Sequence, residues 1–255
     1  MRVVLIGAGS LACSLGHALA CHGHQVVQVY SRTEKSASYL ASKLNCAYTD
    51  CLHSLVGDAD IYFACLLDEA LVNLAGEFTH GHEQSLFVHV SGSVTMDVLP
   101  TRRRGVMWPV HSFSRNAVVT DWKDIPLFIE SSNLDDLNLM RYVARTLSAN
   151  VYEADGEARR RVHLAAEFCN NFSNHCYSIA ETLLHGCGLP FSSMRHIISS
   201  TTDTVASVSP HDAQSGPARR HDKTVMDSDR ELLKDSPDLL EIYNVLSSHI
   251  EKEYD

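Results

Sequence analysis

The chain opens on an unbroken apolar run, Val3-Val4-Leu5-Ile6, that stops at Gly7. A run without alternation predicts a parallel strand buried on both faces. Residues 11–22 have helical character and end before Gly23, and 25–30 read as a second strand, which completes a βαβ unit. The alternation continues with a helix over 34–44, a short strand near 46–48, a strand over 60–66, a helix over 68–78 and a strand over 86–90. Further strands are expected at 105–110, 125–130 and about 150–153, with a helix at about 134–147. The pattern predicts an α/β fold, a doubly wound and mainly parallel sheet of more than six strands.

Beyond about residue 155 the period changes. Residues 156–187 contain no proline and carry apolar groups at 162, 165, 166, 169, 172 and 176, which predicts one long helix. Gly188 is placed to stop it and Pro190 to start the next, which runs to about 207. Residues 208–223 are polar and rich in turn formers, so a loop is expected before helices at about 226–234 and 237–253. The organisation expected is a sheet domain over 1–153 followed by a smaller, all-helical domain over 154–255.

Composition narrows the classes of function. The 255 residues are 45% hydrophobic and 20% charged, the make-up of a soluble globular protein. Thirty-one acidic against twenty-one basic side chains give a net charge of -10, which disfavours nucleic acid and anionic lipid as partners. The basic clusters 102–104, 159–161 and 219–220 read as solvated surface, or as local sites for a small anion. The eight cysteines are scattered without a CxxC pair, which fits free thiols in a reducing cytoplasm. No signal peptide or membrane helix is expected, because glycines 7 and 9 break the first apolar run and no stretch of about 18 apolar residues occurs. Fifteen histidines are many, yet no HExxH or Cys/His grouping gathers them, so no metal site is expected.

Candidate chemistry begins at the first turn. Gly7-Ala8-Gly9-Ser10-Leu11-Ala12 is a GxGxxA pattern set between a buried strand and a helix, the context that a dinucleotide-binding turn requires. Gly7 allows the tight turn, Gly9 lets backbone approach a pyrophosphate, and small Ala12 lets the helix pack close. After the second strand stand Ser31-Arg32-Thr33, where a guanidinium between two hydroxyls suits a 2′-phosphate, so NADP is expected over NAD. The strand over 60–66 leads into Leu66 and Leu67, and that over 86–90 into Ser91-Gly92-Ser93, all at the carboxyl edge where ligands bind. Ser91 reads either as a nicotinamide or substrate contact or as a turn cap.

With these segments in place, the chain resembles NADP oxidoreductases that join a Rossmann-like domain to a helical domain of unknown function, relatives of 6-phosphogluconate dehydrogenase and pyrroline-5-carboxylate reductase. The resemblance rests on GAGSLA, on HVSGS from His89, WPVHSFS from Trp108, VHLAAEFCNNF from Val162 and GPARRHD from Gly216. It implies a nicotinamide cofactor, a helical domain like the C-terminal one of 6-phosphogluconate dehydrogenase, and a dimer; the long helix, apolar on most of its circumference, is what places the homodimer contact in that domain. The family pattern often has His-Pro where this chain has Trp108-Pro109, with His111 just after. It usually has glycine where this chain has His221.

Related hydroxyacid dehydrogenases use a lysine and an asparagine on the long helix, but no lysine occurs here between Lys123 and Lys223. His163, early on that helix, leads a polar stripe with Glu167, Asn170, Asn171 and Asn174. Histidine titrates near neutrality and could donate a proton, while Asn171 could orient substrate. The same stripe could instead form a hydrogen-bond network that sets dimer register, and His111 could simply cap its loop. Two functions follow. One is NADP(H)-dependent hydride transfer to or from a small carbonyl, imine or hydroxyacid; the other is an NADP(H)-binding sensor or scaffold without turnover.

Overall fold

The computed structural model describes residues 1–114 and 117–255. It contains β1 (Arg2–Ile6), α1 (Ser10–Cys21), β2 (Gln25–Tyr30), α2 (Glu34–Leu44), β3 (Ala47–Thr49), β4 (Ile61–Ala64), α3 (Asp68–Thr79) and β5 (Phe87–His89). Then come β6 (Arg104–Pro109), β7 (Leu127–Ser131), α4 (Leu134–Leu147) and β8 (Val151–Glu153). The eight strands form one sheet in the order β3-β2-β1-β4-β5-β6-β7-β8. All neighbours pair in parallel except β6 and β7, which run antiparallel with Trp108 opposite Phe128. The chain therefore has the expected doubly wound, mainly parallel sheet. Growth of the sheet reverses at β1, so the crevice for a ligand opens beyond the carboxyl ends of β1 and β4.

Burial explains why the first run reads as it does. Val3 and Leu5 belong to one core cluster together with α1 and α4, whereas Val4 and Ile6 belong to the other together with α3. The neighbouring strand β4 repeats the division, with Ile61 and Phe63 on one side and Tyr62 and Ala64 on the other. A strand that must fill two cores has no room for a polar position. On the α3 side the rings of Tyr62 and Phe87 stack at 4.7 Å and those of Phe78 and Phe87 at 5.7 Å. Gly16 in α1 is a close-packing point, because a Cβ there would meet side-chain carbons of Leu44 and Leu5 at 2.7 and 2.8 Å.

The rest of the chain is helical: α5 (Gly156–Ala166), a π-helical segment (Glu167–Phe172), α6 (Ser173–Gly186), α7 (Arg195–Val205), the short α8 (Pro210–Ala213), α9 (Lys223–Leu232) and α10 (Pro237–Glu253). One uniform helix over 156–187 was expected. Helical backbone does persist from Gly156 to Gly186, but its hydrogen bonds widen at Glu167–Phe172, within the polar stripe. Such bulges recur at functional positions. The expected loop over 208–223 holds α8 and a left-handed His221 at φ 52°.

Compactness divides the chain into Met1–Cys169 and Asn170–Asp255. Within the second unit, Ala218, Met226, Leu233 and Ser247 are the buried residues among those described. Large apolar side chains such as Leu183, Ile197, Val245 and Leu246 stand at least half exposed. No helix among the described residues is long and apolar enough to cross a membrane.

Candidate active site

At the end of β1 the backbone of Gly7 takes φ 120°, and a Cβ there would lie 2.3 Å from the Cys65 carbonyl oxygen. Only glycine fits that position. Gly9 is the N-cap of α1 with an ordinary φ of -80°; a Cβ there would meet nothing within 4 Å. The protein's own packing therefore does not require glycine at residue 9, and the position is open to whatever approaches the turn. The first turn of α1 carries no acidic residue and no side-chain cap, which leaves its amide N–H groups for an anion. Ala12 is fully buried against the sheet.

Beyond β2, Arg32 is exposed and forms no ion pair among the described residues. Thr33 stands at the N-cap position of α2 without a side-chain cap and donates from its hydroxyl to Ser36 Oγ at 2.9 Å. The next carboxylate along, Glu34, accepts from the Tyr48 hydroxyl at 3.2 Å. Leu66 approaches the Cβ position of Gly7 at 3.4 Å, and Leu67, the N-cap of α3, is 83% exposed. These residues therefore line the carboxyl edge on both sides of the glycine turn. They fit a dinucleotide: an open, amide-rich helix start for the pyrophosphate, an uncommitted guanidinium beyond β2, and apolar side chains beside it.

The turn after β5 is tightly bonded. Ser91 Oγ accepts from the backbone N–H groups of Ser93 at 3.2 Å and Val94 at 3.1 Å and lies 3.2 Å from Ser93 Oγ. Ser93 in turn donates to Asp68 Oδ2 at the start of α3. The Ser91 hydroxyl is thus engaged within its turn. Below it, fully buried His89 accepts from the Ser91 N–H through Nδ1 at 3.2 Å. Burial, and then the positive charge of Arg159, push His89 down to about 4, against opposition from the Thr95 carbonyl and Asp68, so the ring is neutral at pH 7.

The turn connects to α5 through an aromatic ring. A Cβ on Gly92 would lie 2.6 Å from the Trp108 indole, so the turn sits directly against that ring. Trp108 in turn meets the His163 imidazole edge-on, with centroids 5.6 Å apart and planes at 81°. His163 is 40% exposed and lies 3.6 Å from Glu167 Oε1. The structure thereby brings three of the sequence motifs, HVSGS, WPVHSFS and VHLAAEF, to one place. His111 is directed elsewhere: its ring meets Phe113 edge-on at 5.0 Å. It lines a concavity of about 330 Å³ with Val110, Asp121, Asp124, Ile125 and Pro126. Asn171 lies in the π-helical segment and accepts from Asn170 Nδ2 at 3.0 Å. Among the described residues no group of three or more His, Cys, Asp or Glu is arranged to hold a metal.

Among the basic clusters the sequence reading needs correction at Arg159; Arg102, Arg160, Arg161 and Arg220 are exposed as expected. Arg159 is 1% exposed rather than solvated, and Arg103 pairs with buried Asp136 at 2.5 Å. Arg104 reaches Asp97, and Arg219 covers the Tyr254 ring at 5.0 Å. Charge runs read as surface by default, and nothing local in the sequence reports the partners that these arginines find. The spacing of Arg159 and His163, four residues apart and so on one helix face, was the available signal.

An open helix start behind Gly9 and an edge lined for an extended anion define a dinucleotide-binding fold. The chain belongs to the family of NADP oxidoreductases. It is 41% identical to a Bacteroides fragilis protein named as an NADP oxidoreductase, over 98% of both chains and with a TM-score of 0.89. Residues 2–92 match the family described as NADP oxidoreductase, coenzyme F420-dependent, and residues 125–250 match a domain of unknown function, DUF2520. The same fold occurs in a Thermotoga maritima protein, at 19% identity over 99% of both chains and a TM-score of 0.82. It also occurs in an imine reductase from Myxococcus stipitatus in complex with NADP⁺, at 14% identity over 99% of this chain and 93% of that one, TM-score 0.71. Among curated proteins none matches in sequence. The protein is accordingly an oxidoreductase, and NADP is its cofactor.

Proposed function

We propose that the protein transfers hydride between NADP(H) and a small carbonyl, imine or hydroxyacid, with His163 as the proton donor in the reductive direction. The observation that carries this reading is the contact chain from Gly92 through Trp108 to His163, which joins the turn after β5 to the helix where relatives place their lysine. The hydride comes from the dihydronicotinamide of bound NADPH. Gly7, Ala8, Gly9, Ser10, Leu11 and Ala12 would hold the pyrophosphate on the α1 amides. Ser31, Arg32 and Thr33 would take the 2′-phosphate, with Leu66 and Leu67 packing beside the cofactor. Ser91, engaged within its own turn, fixes the edge of the site rather than donating freely. His163, half-exposed against Trp108, keeps a ring nitrogen able to deliver a proton to the reduced carbonyl oxygen or imine nitrogen. Asn171 would orient substrate.

We assign residues 1–153 to cofactor binding and 154–255 to substrate binding and homodimer formation, in the cytoplasm. The exposed apolar side chains of the helical unit support the dimer, since a monomer would leave them in water. Light scattering at micromolar concentration reads that assignment directly, and a monomer would contradict it. Turnover is tested by following NADPH oxidation against a panel of cyclic imines, ketones and keto acids, with His163→Asn as the comparison.

A further inference from the structure

Arg159 is a buried charge that the proposed reaction does not use. Its side chain is 1% exposed, one terminal nitrogen donates to Glu130 Oε2 on β7, and the other donates to the Val94 carbonyl at 2.7 Å. Its Nε is buried with no hydrogen-bond partner among the described residues. A buried ion pair with an unsatisfied donor is a poor device for stability alone, because desolvation offsets much of the attraction. What it supplies is geometry. Val94 donates its N–H to Ser91 Oγ in the turn after β5, and Glu130 lies opposite Val106 on β6, the strand that carries Trp108. His163 stands four residues after Arg159, one turn further along the same face of α5. One guanidinium therefore ties three elements together, at a strand position two residues from Trp108 and one helical turn from His163.

We propose that Arg159 is a positioning residue, which fixes α5 against the turn after β5 and against β7 so that His163 is held edge-on to Trp108. The proposal rests on His163 being the working group of the site. Arginine suits the task because its planar fork reaches two acceptors at fixed separation. A lysine keeps the charge but not the fork.

The test reads the ring contact without substrate. A protonated imidazole in contact with an indole quenches its emission. The pH profile of tryptophan fluorescence, taken as the difference between the chain and its His163→Asn variant, thus isolates the Trp108 contact from Trp122. The same difference is then measured between Arg159→Lys and Arg159→Lys/His163→Asn, with melting curves and NADPH affinity recorded for each. The expected result is a folded Arg159→Lys protein that binds NADPH normally but loses about half or more of the quenching amplitude. Full amplitude in Arg159→Lys, or no pH-dependent difference in the parent pair, would overturn the proposal. Should Arg159→Lys not fold, Glu130→Gln carries the same two outcomes. Turnover separates this from the proton-donor reading. If His163→Asn keeps its turnover while Arg159→Lys loses the quenching, the donor reading fails and Arg159 only holds a ring that does no chemistry; if His163→Asn loses turnover while Arg159→Lys keeps full quenching, the positioning role alone is removed.

Discussion

The imidazole of His163 meets the indole of Trp108 edge-on at 5.6 Å, and Gly92 lies beneath the same indole. Trp108 thus separates and orients two parts of the proposed site at once. Gly92→Ala would place a Cβ 2.6 Å from the ring, a distance that forces the indole to move. The expected outcome is a loss of about 1–3 kcal/mol in urea unfolding together with altered tryptophan emission. Unchanged stability and emission would show that the turn does not press on Trp108.

The two glycines of the first turn should separate folding from binding. At Gly7, φ 120° and the Cys65 carbonyl exclude a Cβ, so Gly7→Ala should destabilise the protein by about 2 kcal/mol or more. At Gly9 the backbone suits alanine and a Cβ meets nothing within 4 Å. Gly9→Ala should therefore melt like the parent while binding NADPH roughly tenfold or more weakly, because the added methyl stands where the pyrophosphate approaches. Calorimetric titration with a parallel melting curve checks both, and parent-like binding in Gly9→Ala would remove the pyrophosphate from this turn.

Arg32 makes no ion pair among the described residues, which leaves its charge for a 2′-phosphate. Losing one such charge-assisted contact costs about 1.5–3 kcal/mol, so Arg32→Ala should weaken NADPH by roughly tenfold or more and leave NADH unchanged. Fluorescence titration of both cofactors reads the result, and equal effects on the two would take Arg32 out of the 2′-phosphate site.

Buried His89 links stability to pH. Its folded pKa of about 4 lies below the ordinary 6.5, so the unfolded chain binds a proton more readily. The contribution is complete above pH 6.5 and is lost as pH falls from there toward 4. It amounts to about 3 kcal/mol. His89→Asn keeps an acceptor near Nδ1 for the Ser91 N–H but removes the titration. Its stability should fall less steeply than the parent's over that interval in urea unfolding at stepped pH. Equal slopes would mean that His89 is protonated without cost.

The legible parts of the molecule were those written in local periodicity. The apolar run at β1 encoded burial on both faces, and the glycine turn announced its own geometry. The antiparallel pairing of β6 and β7 was not legible, because two apolar runs of similar length carry no sign of direction. The π-helical segment was hidden for a similar reason: six residues, Glu167–Phe172, are too few to shift an apolar period visibly. Arg159 was misread because its partners Glu130 and Val94 are 29 and 65 residues away in sequence. The Trp108 contact with His163 likewise joins residues on β6 and α5 that no local pattern connects.

The central claim is that His163 delivers the proton in an NADPH-dependent reduction, and the direct measurement is steady-state NADPH oxidation by the parent and His163→Asn proteins on the same imine or carbonyl substrate. The account predicts turnover lowered by about 10² to 10⁴ in the variant, with NADPH affinity and melting temperature retained. Equal turnover in the two proteins, or tight NADPH binding by the parent with no oxidation by any substrate in the panel, would contradict it.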